Sequence, residues 1–125
     1  MFFIILTYII LIYELFILNM NAPITLDMST IRESADLACN FMKVLANADR
    51  LLLLCQLSAG EKSVGELETL LNIRQPTLSQ QLTVLRENQL VSTRRDGKNI
   101  YYSISSEPAL AIMQVLSQQL CNLSN

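Results

Sequence analysis

The sequence predicts a mainly α-helical domain carrying one β-hairpin, in the order α-α-α-α-β-β-α. Three observations predict it. Apolar residues recur at helical spacing from residue 29 to residue 88, and again after residue 106. Between these stretches the period falls to two around Asp96-Gly97-Lys98-Asn99, a hairpin signal. Two of the helices are short and meet at a tight turn, Asn72-Ile73-Arg74.

The elements follow in order. Residues 29–46 form a first helix, with Thr30 and Glu33 as a capping box and Ile31, Ala35, Ala38, Met42 and Leu45 as its stripe. Asn47 caps a second helix that runs to Ala59 and stops at Gly60. Leu51-Leu52-Leu53-Leu54 make that helix apolar all round, as a buried central helix should be. Ser63 and Glu66 form another capping box, opening a short third helix with Val64, Leu67, Leu70 and Leu71. Pro76 suits the first position of a fourth helix, whose Leu78, Leu82 and Leu85 share a face. Residues 90–95 and 100–104 are the hairpin strands, with Ile100, Tyr102 and Ile104 on one side. Ser106 and Pro108 open the last helix, whose apolar side holds Ala109, Ile112, Met113, Leu116, Leu120 and Leu123.

At 125 residues, 51% of them apolar and 16% charged, the chain can bury one modest core and is not disordered. Histidine is absent, which excludes His-based triads, His general bases and His-containing metal sites. Cys39, Cys55 and Cys121 lie far apart, with no Cys-x-x-Cys, and no glycine-rich phosphate loop is present. A thiol oxidoreductase therefore has little support. The sequence favours a cytoplasmic binding protein over an enzyme, with no cofactor and no metal site.

Residues 1–19 differ from the rest: 16 of the 19 are apolar, and five of the chain's eight aromatics lie there. A membrane helix over Met1–Leu18 would be about 27 Å long, barely enough, and would contain Glu14. A signal peptide needs basic residues at its start, whereas the first cation is Arg32. Phe, Ile, Tyr, Met and Asn, all from A/T-rich codons, supply 13 of the 19 residues. That composition favours translated upstream sequence with the true start at Met20. A membrane anchor, and with it a membrane-tethered interaction module, is the alternative. Residues 20–125 are then the functional domain.

Two short helices, a tight turn and a hairpin after them describe a winged helix-turn-helix, whose second helix enters the DNA major groove. The outward residues of that helix are Gln75, Thr77, Ser79, Gln80, Thr83 and Arg86. Gln reads adenine with two hydrogen bonds, while Ser and Thr reach base edges or phosphates. The hairpin adds Arg94, Arg95 and Lys98, which suit phosphates or the minor groove. The net charge is −2, but it is unevenly spread. Residues 72–104 hold five cations against two carboxylates, and residues 20–61 hold three against five. The expected partner is double-stranded DNA.

On these residues the sequence resembles the ArsR/SmtB family of small winged-helix repressors. The resemblance is carried by Met42–Leu51, Ser63–Leu67, Gln75–Arg86, Val91–Lys98 and Tyr101-Tyr102, and spans about residues 30–122. It implies a homodimer built through the first and last helices, bound to an inverted-repeat operator. Asn47-Ala48 stands where the family usually has His-Pro, exchanging one helix start for another. Gln81 stands where a His is frequent, a change expected to alter base preference.

Family members differ mainly in their inducer. The arsenic-sensor Cys-x-Cys is absent, since Leu53-Leu54-Cys55-Gln56 carries one thiol, and last-helix zinc sites need His. A metal- or metalloid-responsive repressor stays as an alternative without a recognisable ligand set. The cysteines are more similar to the persulfide-sensing subgroup of the biofilm growth-associated repressor, which pairs a Cys of the second helix with one of the last. That resemblance implies a redox switch at Cys55 and Cys121. The inducer would be an oxidant or a reactive sulfur species, and the controlled genes would detoxify sulfide or persulfide. Taken alone, Cys55 also fits a small buried hydrophobe beside Leu51 and Leu52. Cys121 lies off its helix's apolar stripe, and Cys39 is expected to be structural.

Overall fold

The predicted helices and the hairpin form in the predicted order, in a computed structural model that describes residues 2–20 and 27–120. The chain divides into two compact units between Ala35 and Asp36, within the second helix.

In the first unit, α1 (Phe2–Met20) is apolar on every side, and its side chains from Phe2 to Leu18 are exposed. Thr7 hides its hydroxyl proton on the carbonyl of Phe3, 2.6 Å away. Among the described residues no helix is long and apolar enough to cross a membrane. α2 (Met28–Leu45) begins earlier than the Thr30–Glu33 capping box would place it. The carbonyl of Asp27 already accepts from the N–H of Ile31, so Thr30 lies inside the helix rather than at its cap.

The second unit is built on α3 (Ala48–Ser58), α4 (Val64–Leu71), α5 (Thr77–Glu87) and α6 (Glu107–Leu120). Asn47 caps α3 as expected, its side chain accepting from the N–H of Arg50 at 3.0 Å. At α4 both halves of the Ser63–Glu66 capping box are made. Asn72 then ends α4 in the left-handed conformation, with φ of 53°. Pro76 takes the N-cap place of α5 rather than the first helical position, and contributes no side-chain cap.

The core draws on all four of these helices and on the hairpin. Leu53, Leu54, Leu67, Leu78, Leu82 and Leu85 are fully enclosed, and no polar or charged residue is buried with them among the described residues. Leu52 is exposed, contrary to the all-round burial expected of residues 51–54, and Leu70 of α4 is exposed as well. α2 departs further. Ile31, Ala35, Ala38 and Met42 of its stripe are exposed, and Leu45 alone of that stripe is buried.

The hairpin joins β2 (Val91–Asp96) to β3 (Asn99–Ile104) through Gly97 and Lys98, with Gly97 at φ of 61°. A positive φ at the first loop residue is what a two-residue hairpin turn demands. A strand not expected from the sequence, β1 (Lys62–Ser63), pairs with the other edge of β3, giving an antiparallel sheet in the order β1-β3-β2. Ile100, Tyr102 and Ile104 face the core together, as their alternation predicts.

Candidate nucleic-acid interface

α5 presents three faces, each with a different task. Leu78, Leu82 and Leu85 anchor it in the core. Opposite them Gln80 is exposed, and Gln75, Thr77, Ser79, Thr83 and Arg86 are exposed as well. Ser79 donates its hydroxyl proton to the Gln75 side-chain carbonyl, and Thr83 donates to the backbone carbonyl of Ser79 at 2.7 Å. These hydroxyls keep their lone pairs for an incoming donor but have committed their protons. Gln80 keeps both its donor and its acceptor, so it is the residue of α5 best equipped for a two-bond contact with adenine.

The third face carries Gln81, the residue that departs from His, and the structure gives it a partner within the protein. Its side-chain oxygen accepts from Arg50 Nη1 at 2.8 Å. Gln81 is therefore tied into the protein through Arg50 and not simply one more free polar group on α5. Arg50 itself also donates to the backbone carbonyls of Val44 and Lys43. Sequence reasoning counted Arg50 only as a charge, because no local pattern announces a partner 31 residues away.

The register of the wing separates two arginines that the sequence had grouped. Arg95 lies opposite Ile100 and Arg94 opposite Tyr101, so they point to opposite faces of the sheet. Arg95 shares the face of Ile100 and Tyr102. Those two residues, with Lys98 and Asn99, line a cleft of about 410 Å³ whose other wall includes Ser79 and Thr83 of α5. The recognition helix and one face of the wing therefore border the same cleft.

Arg94, on the other face, is engaged. It donates to both Glu61 carboxylate oxygens, at 2.6 and 3.2 Å, and lies over the Tyr101 ring at 4.7 Å. Those hydrogen bonds hold the Glu61 carboxyl below its usual value and raise Arg94 further. Glu61 was another residue that sequence reasoning did not single out.

Cys55 is exposed and not the buried hydrophobe that its neighbours Leu51 and Leu52 suggested. Cys39 is also exposed, which removes it from the structural core. Cys121 and Leu123 lie outside the described residues. Among the described residues no three His, Cys, Asp or Glu side chains gather as a metal site.

Comparison with known proteins agrees with this geometry. A family model described as bacterial regulatory protein, arsR family, matches residues 47–93. The chain is 51% identical over 80 residues to the biofilm growth-associated repressor of Agrobacterium fabrum, covering 64% of this chain and 68% of that protein. The crystal structure of the transcriptional repressor BigR from Xylella fastidiosa superposes with a TM-score of 0.71 at 40% identity, over 79% of this chain and 98% of that one. Mb0332 from Mycobacterium bovis, described as a homodimeric winged helix-turn-helix DNA-binding domain, matches with a TM-score of 0.64 at 27% identity, over 79% of this chain and 91% of that one.

Proposed function

The chain belongs to the ArsR family of bacterial regulatory proteins, and from that premise we propose that it works as a homodimer on an inverted-repeat operator, under thiol control. It is a transcriptional repressor of the biofilm growth-associated type. The observation that carries the DNA reading is the exposed Gln80 on α5, beside a cleft that α5 shares with the Arg95 face of the wing. Thr77, Ser79, Thr83 and Arg86 complete the α5 surface, Gln75 stands just before it, and Lys98 completes the wing. This work takes place in the cytoplasm, and residues 20–125 perform it without the leader.

The dimer reading draws support from surfaces left bare. Met42 and Leu37 of α2 and Val115 of α6 are more than half exposed. Met42, Leu45, Ile112 and Leu116 line an apolar groove between α2 and α6. A second copy covering this surface would give a two-fold dimer with one α5 helix for each half of an inverted repeat.

The thiol reading draws support from the accessible Cys55 on α3, which packs against α6, the helix just before Cys121. Oxidation removes two protons and two electrons from the Cys55–Cys121 pair. A thiolate attacks the polysulfide and breaks an S–S bond. The second thiolate completes the link, and the displaced sulfur leaves as sulfide carrying the two electrons. A polysulfide sulfur retained between the cysteines bridges a gap too wide for a direct disulfide. Linking the helix that supports the reading head to the dimer helix changes the spacing of the two heads. A hundredfold release from DNA requires a difference of only about 2.7 kcal/mol. The controlled genes would then be those that detoxify sulfide or persulfide.

The test is a gel shift on the DNA upstream of the protein's own gene, with and without polysulfide. Cys55→Ser and Cys121→Ser should bind but no longer release, while Cys39→Ser releases normally. Release of Cys121→Ser as readily as the wild type would refute the two-thiol switch, and release by thiol-binding metal ions would favour a metal sensor instead.

A further inference from the structure

The recognition helix is held by more than its leucines. The last four carbonyls of α2 have no partners within a regular helix. Here Met42 O accepts from Ala46 N–H and Leu45 O from Asn47 N–H, while Lys43 O and Val44 O accept from the Arg50 guanidinium. The same guanidinium extends its remaining terminal nitrogen to Gln81 of α5 at 2.8 Å, and the backbone N–H of Arg50 is fixed by the Asn47 cap. One side chain thus joins the end of α2, the start of α3 and the side of α5.

We propose that Arg50 is a positioning residue for DNA recognition, fixing through Gln81 the rotation of α5 about its own axis. Three facts make α5 depend on such a device. Its N-cap, Pro76, makes no side-chain hydrogen bond. Its buried contact is three leucines, and apolar packing is far less directional than a hydrogen bond to a charged donor. Gln81 is also the immediate neighbour of Gln80, about 100° around the helix.

The tolerance is small. At a side-chain radius of about 6 Å, a rotation of about 10° carries the reading atoms about 1 Å. Hydrogen bonds to base edges accept a range of only about 0.5 Å. Loosening the Arg50–Gln81 bond should therefore damage base reading and leave phosphate binding intact, because neither residue needs to touch a phosphate. This inference rests on the DNA reading above and adds a specificity determinant that does not itself read a base.

The experiment uses the full-length chain and two DNA pools. One is the set of duplexes, about 30 base pairs long, that the wild type enriches from a randomised library, with room for two half-sites. The other is the unenriched library. The readout is the ratio of the two affinities, measured across salt concentrations. Gln81→Leu should lower that ratio about tenfold, through the enriched pool alone and with an unchanged salt slope. Gln81→Glu keeps an acceptor for Arg50 and should preserve the wild-type ratio, its charge weakening both pools alike. Adding Arg50→Met to Gln81→Leu should lower the ratio no further. Because Arg50 also closes the end of α2, the Gln81 variants decide the matter. A wild-type ratio in Gln81→Leu, or equal losses on both pools, overturns the proposal. A wild type that enriches no sequence overturns the DNA reading beneath it, a separate and recognisable outcome.

Discussion

α2 and α5 carry the same kind of sequence signal, apolar residues at helical spacing, and the structure spends it differently. On α5 the stripe Leu78, Leu82 and Leu85 is at most 1% exposed. On α2 Met42 is 63% exposed and Ile31 41%. Periodicity shows that a face is apolar, not which molecule covers it. The α5 face is covered by its own chain. The α2 face is the surface that the dimer reading assigns to a second copy. The wing repeats the contrast in charge: Arg94 has an internal partner and Arg95 has none in the described structure.

The contrast is sharpest in stability. Leu82→Ala should cost about 2–5 kcal/mol of unfolding free energy, the range for deleting a buried leucine side chain. Thermal or denaturant unfolding should show that loss at every protein concentration. Met42→Asp should leave the folded protomer intact and halve the mass measured by sedimentation. If Met42→Asp instead destabilises the protomer as Leu82→Ala does, α2 and α5 are not different in kind and the dimer surface lies elsewhere.

What could be read in advance follows the same division. Wherever an element satisfies itself locally, the sequence displays it: the Asn47 cap, the Ser63–Glu66 box, the leucines of α5, the hairpin around Gly97 and the Ser106 start of α6. The start of α2 lies earlier than expected: Thr30 and Glu33 have the spacing of a capping box, but helical bonding already begins at Asp27. A two-residue strand such as β1 is too short to show a period. The pairs that organise the candidate site, Arg50 with Gln81 and Arg94 with Glu61, are separated by 31 and 33 residues. No window of local sequence holds both partners, so residue types suggested a DNA surface but not which cations were already engaged.

A smaller effect tests the locally satisfied class. Ser63→Ala removes the acceptor of the Glu66 N–H at the start of α4 and should cost about 1 kcal/mol. Because α4 packs against α3 and the sheet, the loss should appear in global unfolding and not merely as fraying of one helix. Unchanged stability would show that the cap adds nothing beyond the packing of Leu67.

The two arginines of the wing should then divide in DNA binding. Arg95→Ala should reduce the salt dependence of DNA affinity by about one phosphate contact, a change of about 0.9 in the log–log slope. Arg94→Ala should change that slope less, because its guanidinium is already occupied by Glu61. Equal slopes for the two variants would mean that phosphate outcompetes Glu61, and that the two faces of the wing act as one.

The smallest effect asks how firmly Glu61 keeps Arg94. The hydrogen bonds from Arg94 hold the Glu61 carboxyl below its ordinary value of 4.5. A carboxyl depressed in the folded state contributes stability that is complete above its unfolded pKa and is lost as pH falls through the folded one. The pair is exposed, so salt and water screen it and the contribution is slight. Wild type should therefore unfold at a marginally higher temperature than Glu61→Gln at neutral pH, and the gap should close on acidification. In DNA binding the sign reverses. Glu61 competes with phosphate for Arg94, so Glu61→Gln should bind unselected duplex slightly more tightly than wild type at neutral pH, with a steeper salt slope. Protonating Glu61 in the wild type should erase that difference as well. If the two proteins unfold alike and bind DNA alike at neutral pH, the Glu61 pair does not hold Arg94 in solution, and the wing offers two free arginines rather than one.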